Sequence, residues 1–245
     1  MKISFLQSSV LILSTFLFIT SHAQSLVSNW TYGEIDSLKS KWGDFGTPNW
    51  LRYFGLDMGD LNGDGLKDIL TGRNVYLNPG GEMEAPWKKV DLGLNVDGIL
   101  IMDVDGDKYL DIIGQALPNI YWIEARDKDA TTWKVNKIGE VPATSHVNSQ
   151  GFASAQIING GKSEFVIAGD GDIFLFEVPS KPEKDEWKMS LIAKNTSDEG
   201  IGTGDIDGDG DIDIAVGRRP EGAGEPLIIC WFQNPGNGSE DWKDF

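Results

Sequence analysis

Apolar residues fall in short runs along the chain, broken every few residues by Gly, Asp, Asn and Pro. No stretch keeps a helical period, so the pattern predicts strands. Strand-like runs recur in sets: Ile69-Leu70, Val75-Tyr76-Leu77, then a Trp-Lys pair at Trp87. The same order returns at Ile112-Ile113, Ile120–Ile123 and Trp133, and again at Phe165–Ile167, Ile173–Phe176 and Trp187. A fourth set runs through Ile214–Val216, Ile229–Phe232 and Trp242. With the strand that leads into each set, every unit has four short strands. Units of roughly 45–55 residues with four strands each describe propeller blades. The fold class is therefore expected to be all-β, a β-propeller of about four blades, either closing a ring of four or forming a segment of a larger ring. A two-sheet sandwich would not need motifs locked in phase. Trp87, Trp133, Trp187 and Trp242 are expected to pack between blades, because repetition in each unit fits a structural duty. Trp30–Ile35 has the spacing of an outer strand and is a candidate for closing the ring.

A polar segment of fixed length joins the first two strands of each unit. Three copies align without gaps, from Asp60 to Asp68, Asp103 to Asp111 and Asp205 to Asp213. Positions 1, 3, 5 and 9 carry side-chain oxygens: Asp60, Asn62, Asp64 and Asp68; Asp103, Asp105, Asp107 and Asp111; Asp205, Asp207, Asp209 and Asp213. Position 7, at Leu66, Tyr109 and Asp211, would offer a backbone carbonyl. Position 6 is Gly65 and Gly210 in two loops, where a sharp turn calls for positive φ. Lys108 holds that place in the other loop, which predicts strain or a slightly different turn there. A degenerate copy, Gln156 to Glu164, has lost most of its acids and is not expected to bind metal.

Oxygen donors without Cys or His suit a hard cation. Six or more oxygens on a flexible loop favour Ca²⁺ over Mg²⁺, so about three Ca²⁺ ions are expected. A solvated acidic turn is the alternative, but clustered carboxylates repel by about 1 kcal/mol per pair at 4 Å even in bulk water. An EF-hand is excluded: position 12 is Thr71, Gly114 or Val216 rather than Glu, and strands rather than helices flank the loops.

The chain has 245 residues and a net charge of −17. That excess of acid argues against binding nucleic acid, which calls for a basic surface. It also argues against docking on an anionic membrane. Twelve of the 38 acidic residues lie in the three loops. Val10–Ile19 is apolar, follows Lys2 and precedes Ser21-His22-Ala23. Residues 1–23 thus read as a secretory signal peptide cut before Gln24, with no later span. This places the protein as secreted, periplasmic or on the cell surface. Residues 24–49 form an N-terminal segment and 50–245 the blades. The single Cys230 lies in an apolar run and reads as a buried, unreactive thiol.

At these loops the chain resembles the FG-GAP/VCBS repeat family, whose calcium-binding blades also build integrin α-subunit propellers. The pattern is close at 60–69 and 205–214 and departs at Lys108 within 103–112. Phe54-Gly55 resembles the family's FG element, and Gly217-Arg218-Arg219-Pro220 is similar to its GAP element. The resemblance implies Ca²⁺ ions that brace the blades and ligands that bind elsewhere.

Two functions follow as expectations. The first is a non-catalytic binding or adhesion module for a glycan or protein, with no catalytic residues. The alternative is a propeller-type polysaccharide lyase or other carbohydrate-active enzyme; in a lyase His146 or Tyr121 would serve as base and Arg126, Arg218 or Arg219 would clamp a uronate carboxylate. Trp42 and Trp50 are candidates for stacking on sugars.

Overall fold

The computed structural model describes residues 32–37, 54–81, 83–145, 148–218, 224, 226, 228–236 and 241–245, except the side chain of residue 198. Trp42, Trp50, His146, Arg219 and the signal segment lie outside these residues. Sixteen strands are present among the described residues, and no helix there is long and apolar enough to cross a membrane.

The strands form four antiparallel sheets, each a four-strand meander in chain order. Sheet 1 comprises β1 (Leu56–Gly59), β2 (Asp68–Thr71), β3 (Asn74–Leu77) and β4 (Lys88–Asp91). Sheet 2 comprises β5 (Asp97–Met102), β6 (Asp111–Ala116), β7 (Asn119–Ala125) and β8 (Trp133–Glu140). Sheet 3 comprises β9 (Phe152–Ala155), β10 (Glu164–Gly169), β11 (Asp172–Glu177) and β12 (Lys188–Ala193). Sheet 4 comprises β13 (Thr196–Gly204), β14 (Asp213–Arg218), β15 (Ile228–Gln233) and β16 (Lys243–Asp244). Each acidic loop joins the first strand of its sheet to the second, as the sequence pattern implies.

Strand side chains alternate between the two faces, and the burial follows that alternation. Leu70 and Val75 of sheet 1 pack against Ile112 and Ile123 of sheet 2, with Trp133 against the same layer. The neighbouring Ile113 and Trp122 turn the other way and meet Phe165 and Phe176 of sheet 3, with Trp187 alongside. Val166 and Leu175 then meet Ile214, Val216 and Phe232 of sheet 4, with Trp242 alongside. The four sheets are thus stacked in chain order through three apolar layers. Sheets 2 and 3 are covered on both faces, which explains their unbroken apolar runs. The tryptophan that opens the outer strand of sheets 2, 3 and 4 packs on the layer shared with the preceding sheet, as expected. Phe165 stacks on Phe176 with ring centroids 4.8 Å apart.

The two outward faces of the stack keep apolar residues in water: Leu56 and Met58 on sheet 1 and Ile229 on sheet 4, the last 86% exposed. Cys230, beside it, points inward and is buried, with Sγ 3.5 Å from the Val216 carbonyl. Burial raises its thiol pKa, so it stays protonated and inert. Residues 32–37 carry no strand. There Asp36 accepts hydrogen bonds from Tyr76 Oη at 2.7 Å and Lys89 Nζ at 2.8 Å.

Backbone also joins the first strands of sheets 1 and 2. The amides of Phe54 and Gly55 donate to the buried Asp97 carboxylate at 3.0–3.2 Å, and Ile101 N–H donates to Asp57 Oδ2 at 2.7 Å. A Cβ on Gly55 would lie 2.0 Å from the Gly98 carbonyl oxygen. Gly55→Ala is therefore expected to destabilise the fold by about 1–3 kcal/mol, the usual cost of overpacking, as read from urea unfolding. Unchanged stability would show that these two strands do not approach so closely.

Candidate metal centre

The acidic loops share one hydrogen-bond scheme. The position 5 amide donates to the position 3 side chain in each: Asp64 N–H to Asn62 Oδ1, Asp107 N–H to Asp105 Oδ1, and Asp209 N–H to Asp207 Oδ1, at 3.0–3.2 Å. The position 7 amide donates to position 5: Leu66 to Asp64, Tyr109 to Asp107 and Asp211 to Asp209, at 2.8–2.9 Å. Position 1 accepts from the turn: Asp60 from Asp64 and Gly65, Asp103 from Gly106, and Asp205 from Gly208 and Gly210. These bonds fold each loop around its own carboxylates.

Position 6 has positive φ in all three loops: 88° at Gly65, 94° at Gly210 and 77° at Lys108. The strain expected at Lys108 is thus present, since a side chain there occupies the left-handed region.

Carboxylate oxygens of Asp103, Asp105 and Asp107 lie within 4.8 Å of one another, as do those of Asp205, Asp207 and Asp209. These two triads can hold a metal ion. Burial raises the Asp105 pKa, and repulsion from Asp107, Glu124 and Asp103 adds to the rise. A cation between these groups would remove that repulsion. In the first loop Asn62 replaces the middle carboxylate, and its Nδ2 donates to Asp64 Oδ2 at 2.9 Å. Its Oδ1 stays on the Asp64 amide, so the first loop offers two carboxylates, of Asp60 and Asp64, where the others offer three. Leu66 and Tyr109 project partly into solvent, while Asp211 is held by Asn159 Nδ2 at 2.6 Å.

Position 9 has a different environment. Asp68, Asp111 and Asp213 are buried at the start of the second strand. One oxygen of each accepts from the position 2 amide, of Leu61, Val104 and Ile206, at 2.9–3.3 Å. The other accepts from Asn78, Ala125 and Asn234, at the end of the third strand, at 2.8–2.9 Å. Asp111 also accepts from Trp122 Nε1 at 2.9 Å. Burial pushes its carboxyl up to about 7 despite these donors, and it raises Asp68 as well. Position 9 therefore fastens the loop to the sheet. An oxygen that accepts a single N–H, such as Asp111 Oδ1 or Asp213 Oδ1, keeps a second lone pair for a cation, whereas Asp111 Oδ2 already accepts two.

Sequence reasoning did not foresee the partners of these groups. Asn78 and Asn234 of the two Asn-Pro-Gly turns donate Nδ2 to the position 8 carbonyls of Lys67 and Ile212, at 3.0–3.1 Å. The repeated turn motif was the available signal. Glu124, buried in β7, accepts from Arg126, Lys134 and Asn136, and Glu183 also pairs with Lys134 at 2.9 Å. The residues considered for a lyase are spread over different surroundings. Tyr121 packs beside the layer between sheets 1 and 2, Arg126 is paired with Glu124, and Arg218 pairs with Asp244 at 2.6 Å in sheet 4.

No family model matches the chain, and no curated protein matches it. Four solved chains do. One is described as the structural basis of specific recognition of non-reducing terminal N-acetylglucosamine by an Agrocybe aegerita lectin. It is 13% identical, with a TM-score of 0.34 over 77% of this chain. The chain spans 64% of that lectin's length.

Because both Asp111 oxygens accept hydrogen bonds, an amide cannot replace the carboxylate without turning its NH₂ toward a donor. Asp111→Asn is expected to cost about 1–3 kcal/mol, the penalty for an unsatisfied buried group, with calcium or without it. Urea unfolding in calcium and in EGTA reads this; a neutral substitution would contradict the fastening role.

Proposed function

We propose that the chain is a secreted, calcium-braced binding module of the FG-GAP/VCBS type. Its four sheets act as propeller blades, and the surface beside the loops takes a glycan or protein ligand. The observation that carries this reading is the convergence of three carboxylates in each of two loops, directly above a buried carboxylate that locks the loop to its sheet. All-oxygen donors on a flexible loop are the chemistry of Ca²⁺. The repeated frame extends the same role to Asp60, Asn62, Asp64 and Asp68.

A groove beside the first loop supports the ligand reading. Asn62, Asp64, Asn78, Lys88, Lys128 and Thr131 all line it. Amides, carboxylates, ammonium groups and a hydroxyl at an open surface match a hydroxyl-rich or charged ligand better than an apolar cofactor. The surplus of acid remains unfavourable for nucleic acid.

Chelation tests the metal. A ligand bound only by the native state stabilises it by about 2.7 kcal/mol per site at a hundredfold excess over Kd. EGTA is therefore expected to lower the thermal midpoint by about 10 °C or more, since 1 kcal/mol shifts a domain of this size by about 2–4 °C. An unchanged midpoint would rule out bracing metal. A glycan array tests the ligand, alongside an absorbance assay for unsaturated products on uronic-acid polymers. Glycan binding without a rise in absorbance is expected. Product formation that is lost in His146→Ala would instead establish the lyase.

A further inference from the structure

The degenerate loop, Gln156 to Glu164, keeps the frame of the others but fills its centre from within. Glu164 at position 9 is buried, and its Oε2 accepts from Ile157 and Ile158 N–H at 2.9 and 3.0 Å. This reproduces the loop half of the fastening made by Asp68, Asp111 and Asp213. At position 1, where the other loops carry Asp, the Gln156 amide Nε2 approaches the carbonyls of Ile158, Gly160 and Lys162 at 2.7, 3.1 and 3.3 Å. These are positions 3, 5 and 7, the positions that supply ligands in the acidic loops. Carbonyl oxygens only accept, so the group among them is the donor end of the amide.

The turn has been rebuilt to suit. Positive φ falls on the adjacent Gly160 and Gly161, at 83° and 85°, whereas the acidic loops place it at positions 4 and 6. The loop is also tied to both neighbours. Lys162 Nζ donates to the Val104 carbonyl in the second acidic loop at 2.5 Å. On the other side Asn159 Nδ2 reaches Asp211, and Asn234 Nδ2 bridges the Ile157 and Ile212 carbonyls at 2.7 and 3.0 Å.

We infer that the Gln156 side chain is a built-in replacement for a cation: its NH₂ gathers the three carbonyls and keeps this loop closed without metal. Sheet 3 is then the member of the stack whose loop does not depend on calcium, and it holds the loops on either side. The contrast with those loops rests on the calcium reading; the role of Gln156 does not.

Hydrogen exchange of the full chain, read by mass spectrometry with calcium and with EGTA, tests the role. In the wild type, protection of 156–164 is expected to change less than twofold on chelation. Gln156→Glu places a carboxylate, which cannot donate, among the same three carbonyls. Protection of 156–164 in EGTA is expected to fall tenfold or more while β10 and β11 stay protected, and calcium should partly restore it. If β10 and β11 also open, Gln156→Ala, which removes the donor without adding charge, decides by the same criterion. Wild-type protection in both variants under EGTA would overturn the proposal. So would loss of protection at wild-type 156–164 on chelation. If the acidic loops ignore EGTA while Gln156→Glu still opens 156–164, the calcium reading falls and the Gln156 role stands.

Discussion

A carboxylate buried at the start of the second strand holds each sheet to its loop. Asp68, Asp111, Glu164 and Asp213 occupy this place in sheets 1 to 4. Burying a charge is costly unless donors surround it, and here backbone amides supply them. In the three Asp cases one amide comes from the loop and one from the end of the third strand. The loop's first turn, the second strand and the third strand are thereby fixed at one point. Glu164 keeps the loop half of the arrangement although it is the one acid left in its loop. Closure of the loop onto its sheet is thus separable from whatever fills the loop.

From that fixed point two things follow. Strand alternation beyond the carboxylate sends neighbouring residues such as Ile112 and Ile113 to opposite apolar layers, which lets the middle sheets bond to both neighbours. In the other direction, the loop must turn back on itself within a few residues, and positions 1, 3 and 5 are brought together. Asp there creates a repulsive cluster, which adds to the rise that burial imposes on the Asp105 pKa. Gln at position 1 creates an amide-filled turn instead. One nine-residue frame, with its turn adjusted, serves for a cation site or for a self-sealed loop, according to what stands at positions 1, 3 and 5.

Much of this was legible in the sequence, because the repeat is local. Nine-residue loops with Asp at fixed places, short apolar runs behind them and the phase of Trp133, Trp187 and Trp242 are all read within one unit. The unread parts join distant residues or depend on hydrogen-bond direction. Asp97 receives the amides of Phe54 and Gly55, more than 40 residues away, and nothing in its local sequence marks it as buried. Glu124 sits in an apolar strand and gathers Arg126, Lys134 and Asn136 across β7 and β8. The Gln156 loop looked like a site that had merely lost its acids. Its amide lies among three loop carbonyls, an arrangement that no residue pattern in the loop announces.

The central claim is that residue type at positions 1, 3 and 5 decides which loops take a cation. Counting calcium bound per chain by native mass spectrometry tests it most directly. Three tightly bound ions are expected, with the 60–68, 103–111 and 205–213 loops each taking one and 156–164 taking none. No bound calcium, or a fourth ion lost on mutation of Glu164, would contradict the account.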